Sequence, residues 1–203
     1  MPKILEKKER ALGTRLFLKG ERCASPKCAM VKKPYRPGQH NRRFRQISEY
    51  GRQLMEKQKV RFSYGLKEKE LEKYFIRADK SSEPTDVALM KILESRLDNV
   101  VFRLGLALSR RIARQLISHG HIHINGRKNT ISSMLVKTGD KISFRPESME
   151  HPLVKDLPNK LENYEAPVWL GLDKEKMIGE VLADPQDFDI SFNLGLVVNY
   201  YSK

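Results

Sequence analysis

The stretch from Ser109 to Gly126 constrains this chain more than any other, because the apolar period changes inside it. Ile112, Ala113, Leu116 and Ile117 recur at helical spacing, with Arg110, Arg111, Arg114 and Gln115 on the other side. Ser109 supplies an N-cap oxygen, and Gly120 stands where a helix end needs a residue that accepts the left-handed conformation. Beyond Gly120 the pattern alternates, Ile122 and Ile124 against His121 and His123, and runs into Asn125-Gly126. Both of those residues tolerate positive φ, so the pair favours a two-residue hairpin turn. Ile131, and Ile142 with Phe144 after the turn at Thr138-Gly139-Asp140, supply further strands. Together with a preceding helix, this predicts a small unit of two helices and a twisted antiparallel sheet.

That preceding helix is signalled by the stripe Leu89, Ile92 or Leu93, Leu97, Val100, Val101 and Leu104, capped by Thr85 or Asp86 and closed by Gly105. Leu71, Tyr74, Phe75 and Ala78 predict another, ended by Ser81-Ser82-Glu83-Pro84. Ser48 caps a helix on which Ile47, Tyr50 and Leu54 share a face while Arg52, Lys57 and Lys59 point elsewhere, with Gly51 in its first turn. Residues 19–45 hold Pro26, Pro34, Pro37 and Gly38 and no sustained period, which predicts an extended arm. Residues 150–165, polar with Pro152 and Pro158, read as a loop. Val168-Trp169-Leu170 and the run Leu194 to Val198 with Tyr200-Tyr201 are apolar enough to dock, and the early helices are their expected partners.

Charge narrows the function. The 203 residues carry 39 Lys+Arg against 25 Asp+Glu, a net +14. Residues 1–60 hold 17 basic and 5 acidic side chains, residues 61–120 hold 12 and 8, and residues 121–203 hold 10 and 12. Such loading of one end points to a polyanionic partner. A helix that begins at Ser109 and presents Arg110, Arg111 and Arg114, beside a hairpin bearing Arg127 and Lys128, reads phosphates. Structured RNA fits this surface better than DNA, since RNA is recognised largely by shape and backbone. No apolar run nears the ~20 residues that span a bilayer, and no helix has a wide apolar face flanked by lysines, so no membrane partner is expected. The start lacks an apolar signal region, and Glu6, Glu9 and Glu21 argue against a transit peptide. Two cysteines, Cys23 and Cys28, read as reduced thiols in a cytosol-like compartment.

Several of these residues fall into a known pattern. Arg96-Leu97-Asp98-Asn99-Val100-Val101-Phe102-Arg103-Leu104-Gly105, Ser109-Arg110, Ala113-Arg114-Gln115-Leu116-Ile117-Ser118-His119-Gly120 and Ile124-Asn125-Gly126-Arg127 resemble the S-four RNA-binding module of the bacterial ribosomal protein S-four family. The resemblance extends upstream through Pro34-Tyr35-Arg36-Pro37-Gly38-Gln39-His40, Ser48-Glu49-Tyr50-Gly51, Glu56 to Arg61 and Tyr64-Gly65, and downstream through Pro167 to Leu170 and Tyr201-Ser202-Lys203.

It implies an α+β protein: a basic N-terminal arm (1–45), a helical domain (46–93, completed by 175–203), and an inserted module with its following loop (94–174). It also implies a cytoplasmic component of the small ribosomal subunit, neither enzyme nor holder of a cofactor or metal. Such a component binds the 5′ domain of the small-subunit rRNA, nucleates assembly, and lies beside ribosomal protein five where messenger RNA enters. The implied RNA contacts are Lys32, Lys33, Arg36, Arg42, Arg43 and Arg45 of the arm and Arg52, Lys57, Lys59 and Arg61 of the first long helix. In the module they are Ser109, Arg110, Arg111, Arg114, Gln115, His119, Asn125, Arg127 and Lys128. Phe44 interrupts the arm basics, Gln46 stands where the family commonly has a basic residue, and Asn199 where it is often acidic.

Other readings of single motifs compete. Cys23-x4-Cys28 has the look of half a zinc site, but tetrahedral zinc needs four N or S ligands, and His40 is the one local supplement. In zinc-bearing members of the family the other cysteine pair maps onto Glu6 and Glu9, so two thiols in a basic loop is the preferred reading. His119-x-His121-x-His123 puts imidazoles on one strand face without acids or thiols nearby in sequence, which outward polar positions explain as well. Arg96-Leu97-Asp98 resembles the aspartate motif of pseudouridine synthases, enzymes that often carry the same module. Asp98 lies inside a helical stripe, however, and is expected to pair with Arg96 or Arg103. A non-ribosomal RNA chaperone is the remaining alternative.

Overall fold

The computed structural model describes residues 3–38, 46–186 and 192–202. Two compact units emerge, residues 1–89 with 189–203, and residues 90–188. The α+β expectation holds: the first unit is helical and the second mixes helices with one antiparallel sheet.

In the first unit, α1 (Lys3–Leu12), α2 (Glu21–Ala24) and α3 (Ala29–Lys32) replace the expected extended arm. Leu12, Leu16, Cys23 and Cys28 are all buried. The buried Glu9 carboxylate accepts the backbone N–H of Leu16 at 3.0 Å and of Leu18 at 3.3 Å, which satisfies the turn after α1. Glu6 is held by Lys19 at 2.6 Å and Arg22 at 3.1 Å. The apolar residues are too scattered to show a period, so this packing comes from contacts across the segment rather than from local pattern.

Helices α4 (Glu49–Ser63) and α5 (Glu68–Asp79) follow, then α6 (Thr85–Glu94), whose residues from Met90 on belong to the second unit, and α11 (Leu194–Tyr201) closes the first unit against α4 and α5. Ser48 caps α4 as expected, accepting from the Gly51 N–H at 3.2 Å. The face that α4 buries differs from the expected one. Gln53, Lys57 and Val60 are buried, whereas Tyr50 is 55% exposed. The terminal tyrosines decide this: Tyr200 lies 5.7 Å from the Tyr50 ring and 4.4 Å from the Lys57 ammonium, and Tyr201 stacks on Phe75 at 4.9 Å. α5 buries Leu71, Phe75 and Ala78 from the expected stripe.

The second unit contains α7 (Leu97–Arg103), α8 (Arg110–Ser118), β1 (Ile122–Ile124), β2 (Arg127–Lys128), β3 (Lys141–Phe144), α9 (Pro152–Lys155), α10 (Leu157–Leu161), β4 (Leu170–Asp173) and β5 (Ile178–Val181). The strands pair antiparallel throughout in the order β2-β1-β3-β5-β4. One core joins Leu97, Val100 and Val101 of α7 and Leu104 at its end, Leu116 and Ile117 of α8, and Ile122, Ile142 and Phe144 of the sheet.

Five expectations change in this unit. The single long helix predicted over 85–104 is broken at Ser95-Arg96, because the Leu97 N–H is taken by the Met134 carbonyl at 2.8 Å and the Ser95 carbonyl by the Val136 N–H at 2.9 Å. Ile131 is no strand residue but 62% exposed in a loop. Residues 150–165 are not a plain loop: Pro152 and Pro158 sit at or near helix starts, where a missing N–H costs nothing, and Val154, Leu157 and Leu161 are buried. Trp169 and Leu170 enter this core rather than docking on the early helices, and β5 pairs with β3, so residues 178–181 belong here and not to the helical unit.

Candidate nucleic-acid interface

α8 begins where Ser109 accepts the Ile112 N–H at 3.3 Å. That cap leaves Ser109 buried, and its hydroxyl serves the helix instead of standing out as the phosphate contact expected of it. Two of the three arginines are engaged from within. The Arg110 Nε donates to Asn99 Oδ1 at 2.7 Å, and its guanidinium lies 4.7 Å from the Phe102 ring. Arg114 donates through Nε and Nη2 to Oδ2 of Asp98, which the Arg96 guanidinium also grips at 2.8 and 3.1 Å. A second buried carboxylate, Glu94, takes Arg103 at 3.0 and 3.1 Å and the Asn99 amide at 2.8 Å. The expected pairing of Asp98 with Arg96 is present; the link to Arg114 and the whole role of Glu94 were missed. Their signal is acidic residues embedded in an apolar helical stripe, which only buried partners can tolerate.

Arg111 is exposed, and with Gln115 and His119 it forms an exposed i, i+4, i+8 row along α8. The row leads to the hairpin. Asn125 and Gly126 take positive φ of 50° and 77°, as the turn demands. The exposed Asn125 amide donates to Asp140 at 2.8 Å and accepts from the Lys141 N–H at 2.9 Å, so it fastens the turn. Arg127 and Lys128 are exposed, beside a depression of about 470 Å³ lined also by Ile124, Asn129 and Met134. Gly120 lies under the Lys128 side chain: φ is +79°, and a Cβ there would collide with that lysine. The Lys128 stem thus bridges the end of α8 and the hairpin.

In the first unit Lys32, Lys33, Arg36 and Arg52 are exposed. Lys57, expected to meet RNA, is buried and bound to Glu68 at 2.5 Å. Arg61 joins the same carboxylate at 2.8 Å, and Lys59 pairs with Glu56 at 2.6 Å. Although burial opposes it, the hydrogen bonds from Lys57, Arg61 and Tyr201 hold the Glu68 carboxyl below the usual carboxylate range. Arg42, Arg43 and Arg45 lie outside the described residues. Among the described residues no group of three or more His, Cys, Asp or Glu is placed to hold a metal ion.

Residues 5–94 match the model of the ribosomal protein S4/S9 N-terminal domain, and residues 95–142 match that of the S4 domain. The small ribosomal subunit protein uS4 of Natranaerobius thermophilus is 46% identical over 195 residues, spanning 94% of this chain and 93% of that protein. The proteins of the same name from Acetivibrio thermocellus and Oleidesulfovibrio alaskensis are 46% and 47% identical over 193 residues, with the same coverage. The chain belongs to the uS4 family. The junction between the two matched models falls at the Ser95-Arg96 helix break, and the first model takes in most of the segment expected to be a separate arm, in keeping with its packed cysteines. The family is one of small-subunit ribosomal proteins, not of enzymes. Asp98, enclosed by Arg96 and Arg114, is a structural anion rather than the nucleophile of a pseudouridine synthase.

Proposed function

We propose that this protein binds small-subunit rRNA as a structural component of the cytoplasmic small subunit, joining its 5′ domain early and so nucleating assembly. The observation that carries the reading is the exposed row Arg111, Gln115 and His119 running into Arg127 and Lys128. The row stands on a scaffold fixed by the buried pairs of Asp98 and Glu94. A preorganised row loses little entropy on docking, so its charges convert into affinity and register. Arg110 and Arg114, partly exposed and held from behind, present guanidinium edges beside that row. In the helical unit Lys32, Lys33, Arg36 and Arg52 are the contacts favoured by exposure, and the family resemblance assigns Arg42, Arg43 and Arg45 to messenger RNA where it enters the subunit. Ribosomal protein five is the neighbouring partner that the family resemblance implies.

Filter binding to a transcript of the 5′ domain tests this. Arg111→Glu, which removes a phosphate partner and adds repulsion at an exposed site, is expected to weaken binding by more than tenfold without loss of folding. An unchanged affinity would show that the α8 row is not the recognition element.

A further inference from the structure

The outer face of β1 is not covered by the core. Ile122 and Ile124 point inward, and His121 and His123 lie on the opposite face, only half-buried. His121 is surrounded by other titratable groups. Its ring centroid lies 4.8 Å from that of His151 and 6.1 Å from that of His119, and its Nδ1 is 2.9 Å from the buried Ser148 hydroxyl. Lys128 lies opposite His123 in the ladder and crosses Gly120 between His119 and His121. Arg145, whose N–H bonds the His121 carbonyl, closes the far side. Its guanidinium is paired with Glu147 at 2.6 Å. The remaining outward residue at this register is the neutral Ser143. Three imidazoles thus meet at one edge of the RNA-facing row, to which His119 also belongs, and the Lys128 side chain crosses Gly120 between His119 and His121 in the chain.

Imidazoles this close repel one another when charged, and burial together with the cations of His151, His119 and Arg145 keeps His121 below the ordinary histidine range. Burial and these neighbours therefore disfavour the charged form of His121 until an anion arrives. A phosphate oxygen accepting from a ring N–H at the edge of this pair would reverse the balance, because charge-assisted N–H···O bonds favour the protonated form.

We infer that His121 and His151, flanked by His119 and Lys128, form a seat for an RNA backbone phosphate that takes up a proton as the phosphate binds. This rests on the RNA-binding reading above. The seat makes docking of this module proton-linked: if one imidazole rises by about one pKa unit in the complex, affinity below that transition exceeds affinity above it by roughly tenfold.

The test is isothermal calorimetry of the full chain with a 5′-domain transcript, at pH 6.5, in two buffers of different ionisation enthalpy. About one proton taken up per complex is expected from the imidazole chemistry, and close to none for the double variant His121→Gln with His151→Gln. Affinities measured from pH 7.5 to 6.0, each protein referred to its own value at pH 7.5, should rise for the native chain and stay nearly flat for the variant. Imidazole proton resonances of the native chain, titrated with and without RNA, give the same answer if the variant fails to fold: bound rings must titrate at higher pH. Tight binding without proton uptake, or equal pH dependence in both proteins, overturns the seat and leaves the RNA-binding reading standing. Absence of any binding at pH 7.5 and low salt overturns that reading, and the seat with it.

Discussion

Asp98 and Arg114 form an ion pair that ties the first turn of α7 to the middle of α8, with the fully buried Arg96 guanidinium completing the cluster. The joint orients the helix that carries the exposed cationic row. Removing the carboxylate leaves a buried guanidinium without its counter-ion, a change that costs about 3–5 kcal/mol in comparable sites. Asp98→Ala is therefore expected to lower the unfolding free energy measured by urea titration sharply, whereas Arg111→Glu, at an exposed position, leaves it within about 0.5 kcal/mol of the parent. Equal stability of the two variants would mean that the joint does not hold the module together.

A pH effect follows from the helical unit. The Glu68 carboxyl, gripped by Lys57, Arg61 and Tyr201, ionises below its unfolded value. A depressed carboxyl contributes stability above the unfolded pKa, near 4.3, and that contribution is lost as pH falls through the lower folded value. Thermal melts between pH 6 and pH 3 should show a steeper loss for the native chain than for Glu68→Gln, which is less stable at pH 6. Parallel curves would show that the carboxylate is not engaged in solution.

Some of this was legible in sequence, and the division has a physical basis. Gly120, Asn125 and Gly126 announce themselves because the requirement for positive φ is local. Ser48 and Ser109 do so because a cap needs only its own helix. The break at Ser95-Arg96 was hidden, since the loop at residues 132–136 that creates it lies some forty residues away. The inward turn of Lys57 was hidden for the same reason: Glu68 and the tyrosines of α11 receive it, and exposed cation is the ordinary reading of a lysine. Of the candidate site, the exposed face was readable from helical spacing, but Ser109 and Asn125 are chemically suited both to ligands and to caps, and only the fold shows the cap and turn bonds they make.

The cysteines give a third prediction. Burial foremost, with the Glu9 carboxylate and Cys28 nearby, pushes the Cys23 thiol up, and Glu9 already serves backbone N–H groups. A protonated, buried thiol is a poor nucleophile and a poor metal ligand. Both cysteines should resist a thiol-reactive dye until the chain unfolds, and the purified protein should carry well under one zinc per chain. Stoichiometric zinc that disappears in Cys23→Ser would contradict this.

The last prediction concerns how the two units share RNA binding. Were residues 1–45 a flexible tail, deleting them would remove charge and nothing else. But Leu12, Leu16, Cys23 and Cys28 are buried, and α1 packs on α4, with Lys8 over the Phe62 ring at 4.3 Å. Deletion is expected to destabilise the helical unit itself, visible as an earlier melting step, and so cannot report on charge alone. Replacing the exposed Lys32, Lys33 and Arg36 with glutamine keeps that packing and isolates their electrostatics. Each phosphate contact contributes roughly 0.7–0.9 to the slope of log K against log salt concentration, so the triple variant should flatten the slope by up to about 2–3. The footprint of the protein on the transcript should stay in place, because register is set by the fixed row on α8 and the hairpin. A displaced footprint with an unchanged slope would assign register to the helical unit and counter-ion release to the module, the reverse of the arrangement argued from their exposure and fixing.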